Sequence, residues 1–150
     1  MPALSVVSVT RLIPASAADI FELLASPAQH AVIDGSGTVR DVQPRTPLRL
    51  SAGARFGMQM RWGLPYKILN EVVEFEEGRR IAWRHFAGHI WRYLLEPVDE
   101  GATRVTEQFD PTPARSAAVL RLLRASQRNQ QSMERTLERL EEWARSRPGR

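Results

Sequence analysis

Large apolar and polar side chains alternate along much of the chain between residues 55 and 109, the mark of half-buried strands. In Arg55–Trp62 the alternation puts Phe56, Met58, Met60 and Trp62 on one face and Arg55, Gly57, Gln59 and Arg61 on the other. From Leu69 to Phe109 one device recurs: an alternating strand, then a turn ending in glycine, then another alternating strand. The turns are Glu76-Glu77-Gly78, Phe86-Ala87-Gly88 and Asp99-Glu100-Gly101. In a hairpin loop of this length the last position usually takes a positive φ, which glycine adopts without a Cβ penalty, so the flanking residues become the first cross-strand pair. That register pairs Phe75 with Arg79, His85 with His89, and Val98 with Ala102. Counting outward sets Trp83 opposite Trp91, Tyr93 opposite Glu107, Leu95 opposite Val105, and Trp91 opposite Phe109, all on one face. The other face receives Glu74 opposite Arg80 and Glu96 opposite Arg104, two opposite-charge pairs that support the register.

The expected inner face therefore runs Leu69, Glu71, Val73 and Phe75, then Ile81, Trp83 and His85, then His89, Trp91, Tyr93 and Leu95, then Val105, Glu107 and Phe109. A sheet built only to pack a helix favours Val, Ile and Leu, whereas here large rings alternate with carboxylates and imidazoles. Buried glutamate needs a purpose or a partner, so the pattern points to a ligand cavity, apolar with a few convergent polar groups.

Around this block the chain opens with a strand over about Leu4 to Ile13, stopped by Pro14. Ser16 caps a short helix over Ala17 to Ala25, with Asp19 in its first turn. Pro27 starts a second helical piece carrying His30 and Ile33, and Asp34-Gly35-Ser36-Gly37 ends it as a loop. A strand over about Thr38 to Gln43 follows, and Trp62-Gly63-Leu64-Pro65 turns into the hairpin series. After Pro111-Thr112-Pro113 comes one long helix, about Ala114 to Ser146. Its apolar stripe runs Val119, Leu122, Leu123 and resumes at Met133, Leu137, Leu140 and Ala144. Ser126, Asn129 and Gln130 interrupt the stripe, which suggests a helix that packs at both ends while its centre faces a cavity or water.

Strand, short helices, an antiparallel sheet of about six to seven strands and a closing helix make an α+β helix-grip order. The chain resembles the START-like SRPBCC superfamily, and within it the bacterial polyketide cyclase/dehydrase-like proteins. The residues that carry the resemblance are Pro-Ala-Ser-Ala-Ala-Asp-Ile-Phe at 14–21, Gly53-Ala54-Arg55-Phe56, Val73-Glu74-Phe75, Arg80-Ile81-Ala82-Trp83, Trp91-Arg92-Tyr93 and Gly101-Ala102-Thr103-Arg104-Val105-Thr106-Glu107. The resemblance covers nearly the whole chain. It implies one ligand-binding domain over residues 1–150 and a hydrophobic pocket between sheet and C-terminal helix. It supplies no catalytic motif that transfers, because this superfamily hosts carriers, receptors and enzymes alike.

Composition narrows the function further. At 150 residues, 43% hydrophobic and 25% charged, the chain can bury one sizeable core. There are no cysteines, hence no disulfide, thiolate nucleophile or Cys-type zinc site. The N-terminal stretch lacks a basic region and a long apolar run, so neither a signal peptide nor a membrane span is expected and a cytoplasmic protein is the default. The pI near 10.5 accompanies a net charge of only +4. The arginines are dispersed among glutamates, so nucleic-acid binding is not expected. The oligomeric state is left open, a homodimer included.

Two main function classes remain, with a protein-interaction module acting through the sheet edge or helix as a third. The first is a binder of a small hydrophobic or aromatic molecule, lipid or polyketide-like, lined by His30, Met58, Met60, Trp62, Glu71, Trp83, Trp91, Phe109, Leu123, Ser126 and Gln130. The second is a cyclase or dehydratase in the same pocket, with His85 as base and Glu107 and Tyr93 as proton donor and carbonyl orienter. His30 and Glu71 are second choices for that chemistry. His85 and His89 face each other across a turn with Glu71 as a conceivable third ligand, but no spacing marks a metal site, and no metal or cofactor is expected. Nucleophile elbow, phosphate loop and dinucleotide fingerprint are all missing from the sequence.

Overall fold

The computed structural model describes residues 6–34, 39–42, 47–62, 64–85, 88–113 and 125–147, with residues 31–32, 39–42, 58–62, 64–69 and 125–127 described by their backbone alone. In chain order the elements are β1 (Val7–Ile13), α1 (Ala17–Leu24), a 3-10 turn (Pro27–Gln29), α2 (His30–Ile33), β2 (Val39–Val42), β3 (Arg55–Trp62), β4 (Leu64–Glu76), β5 (Arg80–His85), β6 (Ile90–Asp99), β7 (Ala102–Asp110) and α3 (Ala125–Ser146). The strands form one antiparallel sheet ordered β1-β7-β6-β5-β4-β3-β2, so the first strand closes onto the last. This is the expected helix-grip arrangement. Leu4 and Ser5 of the expected first strand and 114–124 of the expected helix lie outside the described residues.

Local chemistry starts and stops these elements. Ser16 is extended, and its Oγ accepts a hydrogen bond from the Asp19 N–H at 3.2 Å. The Asp19 carboxylate sits in the first turn, where the helix dipole favours an anion. Gly53, Gly78 and Gly88 adopt positive φ. Gly88 does so at the last position of its loop, as the sequence requires, and the His85 N–H bonds to the His89 carbonyl beside it at 2.9 Å.

The register of the two central hairpins is the expected one. Trp83 pairs with Trp91, Trp91 with Phe109, Tyr93 with Glu107, Leu95 with Val105, and Glu96 with Arg104. The β4–β5 hairpin and the tip of the β6–β7 hairpin depart from it. At the β4–β5 tip, Glu76 pairs with Arg80 and Phe75 with Ile81, so the loop is Glu77-Gly78-Arg79, closed by Arg79 N–H to the Glu76 carbonyl. A bulge between Val72 and Glu74 then inserts an unmatched residue. Side-chain parity reverses across such a bulge, so Val72 and Asn70 are buried while Glu71 turns to the other face. There the Glu71 carboxylate lies 3.3 Å from Arg55 Nε, half-exposed, which corrects its assignment to the inner face. At the β6–β7 tip Asp99 pairs with Ala102 and a bulge follows Pro97. Gly101 is not at positive φ, and the Asp99 carboxylate accepts its N–H at 2.8 Å.

The core forms where α1 and α3 meet the inner face. Leu137, Leu140 and Ala144 of α3 join Ile20, Phe21 and Leu24 of α1 against Ile81, Leu95 and Val105 of the sheet. Met133 packs separately with Phe109, Val7, Val9 and Trp91. Each fully buried side chain of this size contributes ~1.5–3 kcal/mol relative to exposure. Polar clasps fix the helix at its rim: Arg11 with Glu141 at 3.0 Å, Arg147 with Asp19 at 2.7 Å, and the Arg139 guanidinium donating to the Asp34 carbonyl at 2.6 Å.

Candidate functional site

The β6–β7 register brings Tyr93 and Glu107 side by side under the core, and both are almost wholly buried. The Tyr93 hydroxyl donates to Glu107 Oε1 at 2.9 Å. Burial pushes the Glu107 carboxyl well above the usual carboxylate range; the Tyr93 bond pulls the other way, and the Asp34 charge adds to the rise. Burial likewise raises the Tyr93 phenol, helped by its carboxyl neighbour. Burial thus favours the neutral acid form of Glu107. With Oε1 accepting from Tyr93, the acid form carries its proton on Oε2, which has no hydrogen-bond partner among the described residues.

A second polar group lies toward the other end of the same face. Asn70 pairs with His85 across β4 and β5, and the His85 and His89 rings stack with centroids 4.4 Å apart. Burial lowers His85 to about 3, with His89 reinforcing the fall, and burial alone lowers His89 to about 4. Both imidazoles are neutral at neutral pH. Asn70 Oδ1 and His89 Nδ1 are buried without a hydrogen-bond partner among the described residues.

Between the two polar groups lie rings. Trp91 and Phe109 meet at 5.1 Å, and Phe109 also touches the His89 ring at 5.3 Å. Trp83 contacts Tyr93 at 5.7 Å and Phe56 edge-on at 5.6 Å, and it stacks on His30 at 5.0 Å. The His30 Nε2–H donates to the Leu24 carbonyl at 2.9 Å, and burial lowers its pKa, so this imidazole is a neutral packing element that ties α2 to α1 and β5.

The structure therefore gathers His30, Trp83, His85, Trp91, Tyr93, Glu107 and Phe109 on one face, in two neighbouring clusters, and excludes Glu71. With Glu71 on the other face, the His85–His89 pair loses the third metal ligand considered for it, and no cluster of three such ligands occurs among the described residues. Gln130 is exposed on α3, and Asn129 is half-buried. Leu123 lies outside the described residues, as do the side chains of Met58, Met60, Trp62 and Ser126. Asn70 and His89 are the polar members that sequence reasoning left out of the site. His89 was legible from its pairing with His85; Asn70 was not, because the bulge that turns it inward carries no glycine or proline.

Comparison with known proteins agrees with this architecture. The family model for polyketide cyclase/dehydrase and lipid transport proteins matches residues 5–145. An uncharacterized protein of Mycobacterium tuberculosis is 39% identical over 99 residues, which is 65% of this chain and 44% of that protein, so the chain spans less than half the length of this curated relative. A START superfamily protein from Mycobacterium smegmatis superposes with a TM-score of 0.71 at 14% identity, covering 93% of this chain and 97% of its own. A protein from Mesorhizobium loti does so with a TM-score of 0.71 at 17% identity, covering 95% and 99%. At such identities these structures show the shared fold. No described helix is long and apolar enough to cross a membrane.

Proposed function

The chain belongs to the polyketide cyclase/dehydrase and lipid transport family, and from that membership and the geometry of the inner face we propose that it binds a small hydrophobic molecule between the sheet and α3. One observation carries the reading: Glu107, Asn70 and His89 hold polar atoms away from water with no partner among the described residues, amid aromatic rings. An unsatisfied buried polar atom costs ~1–3 kcal/mol, which a ligand group placed against it recovers. Trp83, Trp91 and Phe109 supply the apolar contact, and the polar atoms orient what lies on them.

Titration with the uncharged fluorophore Nile red, alongside native mass spectrometry of the freshly purified protein, tests this. Saturable one-to-one binding that weakens in Trp83→Ala is the expected result. An unsaturable Nile red signal together with a bare protein mass would rule the reading out.

The neutral carboxyl of Glu107 favours a second reading, a cyclase or dehydratase. In water loss from a β-hydroxy ketone, Glu107 Oε2–H would protonate the departing hydroxyl, with Tyr93 steadying the carboxylate left behind. His85 would take the proton alpha to the carbonyl, although a base held near pKa 3 is a weak one. Under this reading Glu107→Gln abolishes turnover and leaves ligand affinity within a few-fold.

A further inference from the structure

The polar atoms without partners are not scattered. His89, buried just ahead of β6, and Tyr93 within it lie four positions apart, which at an extended rise separates the Asn70–His89 group from the Tyr93–Glu107 group by roughly 13 Å. Trp91 and Phe109 fill the interval between them. The buried polar side chains among the described residues are His30, Asn70, His89, Thr103, Glu107 and Thr136, with no arginine or lysine among them. The arginines that make ion pairs do so at the rim or on the outer face, with glutamate and aspartate partners such as Glu74, Glu96 and Glu141.

We infer that the ligand is an uncharged, elongated molecule with an aromatic middle and a hydrogen-bonding oxygen at each end, and that the inner face rejects carboxylates and phosphates of the same shape. The inference rests on the binding reading above and specifies its ligand class. A hydroxyl matches both ends, donating to Asn70 Oδ1 at one and accepting from the Glu107 acid at the other. A carboxylate or phosphate would shed its hydration, meet no buried cation among the described residues, and stand against the Asp34 charge that already acts on Glu107 and Tyr93.

Displacement of Nile red at neutral pH tests the inference with three ligands of one ring system: a naphthalene carrying a hydroxymethyl group at each end, the corresponding dicarboxylate, and unsubstituted naphthalene. The diol should bind at least about tenfold more tightly than either, the effect of one or two buried hydrogen bonds and of an unpaired buried charge. Asn70→Leu should remove that advantage over naphthalene without weakening naphthalene itself, while Glu107→Gln, whose amide N–H donates in place of the acid, should preserve it. A dicarboxylate that binds as tightly as the diol, or a diol no tighter than naphthalene, overturns the inference and leaves the binding site standing. If Nile red itself does not bind, the underlying reading falls as well.

Discussion

Glu74 and Glu107 sit on opposite faces of one sheet and behave as opposite chemicals. On the outer face the Arg92 guanidinium reaches Glu74 at 2.7 Å, holding that carboxyl below its usual range. The same arginine donates to Gln108 at 3.0 Å and lies 3.8 Å from Asp110. On the inner face Glu107 accepts from a phenol, and burial pushes its carboxyl well above the usual range toward the protonated form. Residue type and strand position decide neither outcome. What decides is whether a cation or an apolar wall stands opposite, and the described residues segregate the two: ion pairs on the outer face and at the rim, buried polar groups without a cation inside.

Substitutions that blur this division should be the most costly. Phe109→Ala opens a hole beside Met133 and Trp91 and is expected to lower unfolding free energy by ~3–5 kcal/mol in urea denaturation. Acidification comes next. His85 and His89 ionise near 6.5 in the unfolded chain but only near 3 and 4 in the fold, so the unfolded state takes up protons first. Their contribution is complete above pH 6.5 and is lost as pH falls toward 4 and then 3, and His85→Phe should flatten this acid limb of a melting-temperature profile. Glu107 has the opposite sign: its folded pKa lies above the unfolded value, so its contribution is complete at low pH and fades as pH rises through the folded pKa. Glu107→Gln should remove that second limb alone.

Outside, the effects shrink. Arg92→Ala strips Glu74 of a partly buried charged partner and should cost about 2 kcal/mol, reduced by salt. Arg104→Ala breaks an exposed pair with Glu96 and should cost ~0–1 kcal/mol. If Arg104→Ala cost as much as Phe109→Ala, the contrast between the faces would be wrong.

Much of this was legible along the chain. The hairpin around Gly88 constrains its own register, since a glycine at positive φ leaves the flanking histidines little choice but to face each other. From that pair the aromatic face and the Tyr93–Glu107 contact follow by counting twos. Ser16, Pro14 and Pro27 mark the ends of the first elements because their capping and steric effects act within a turn. The β4–β5 edge was misread for the complementary reason. Gly78 sits in the middle of its loop rather than at the end, and the bulge at Val72–Glu74 carries no local marker. Glu71 is consequently outside with Arg55, and Asn70 is inside.

Which residues alternate, where strands turn, and that rings and titratable groups share a face follow from residue order, because these depend on short-range sterics and a period of two. Tertiary structure alone decided the protonation of those groups and the inward turn of Asn70. A pKa depends on every wall and charge around a side chain, and a bulge survives only when the strands on both sides and the core beneath favour the reversed parity.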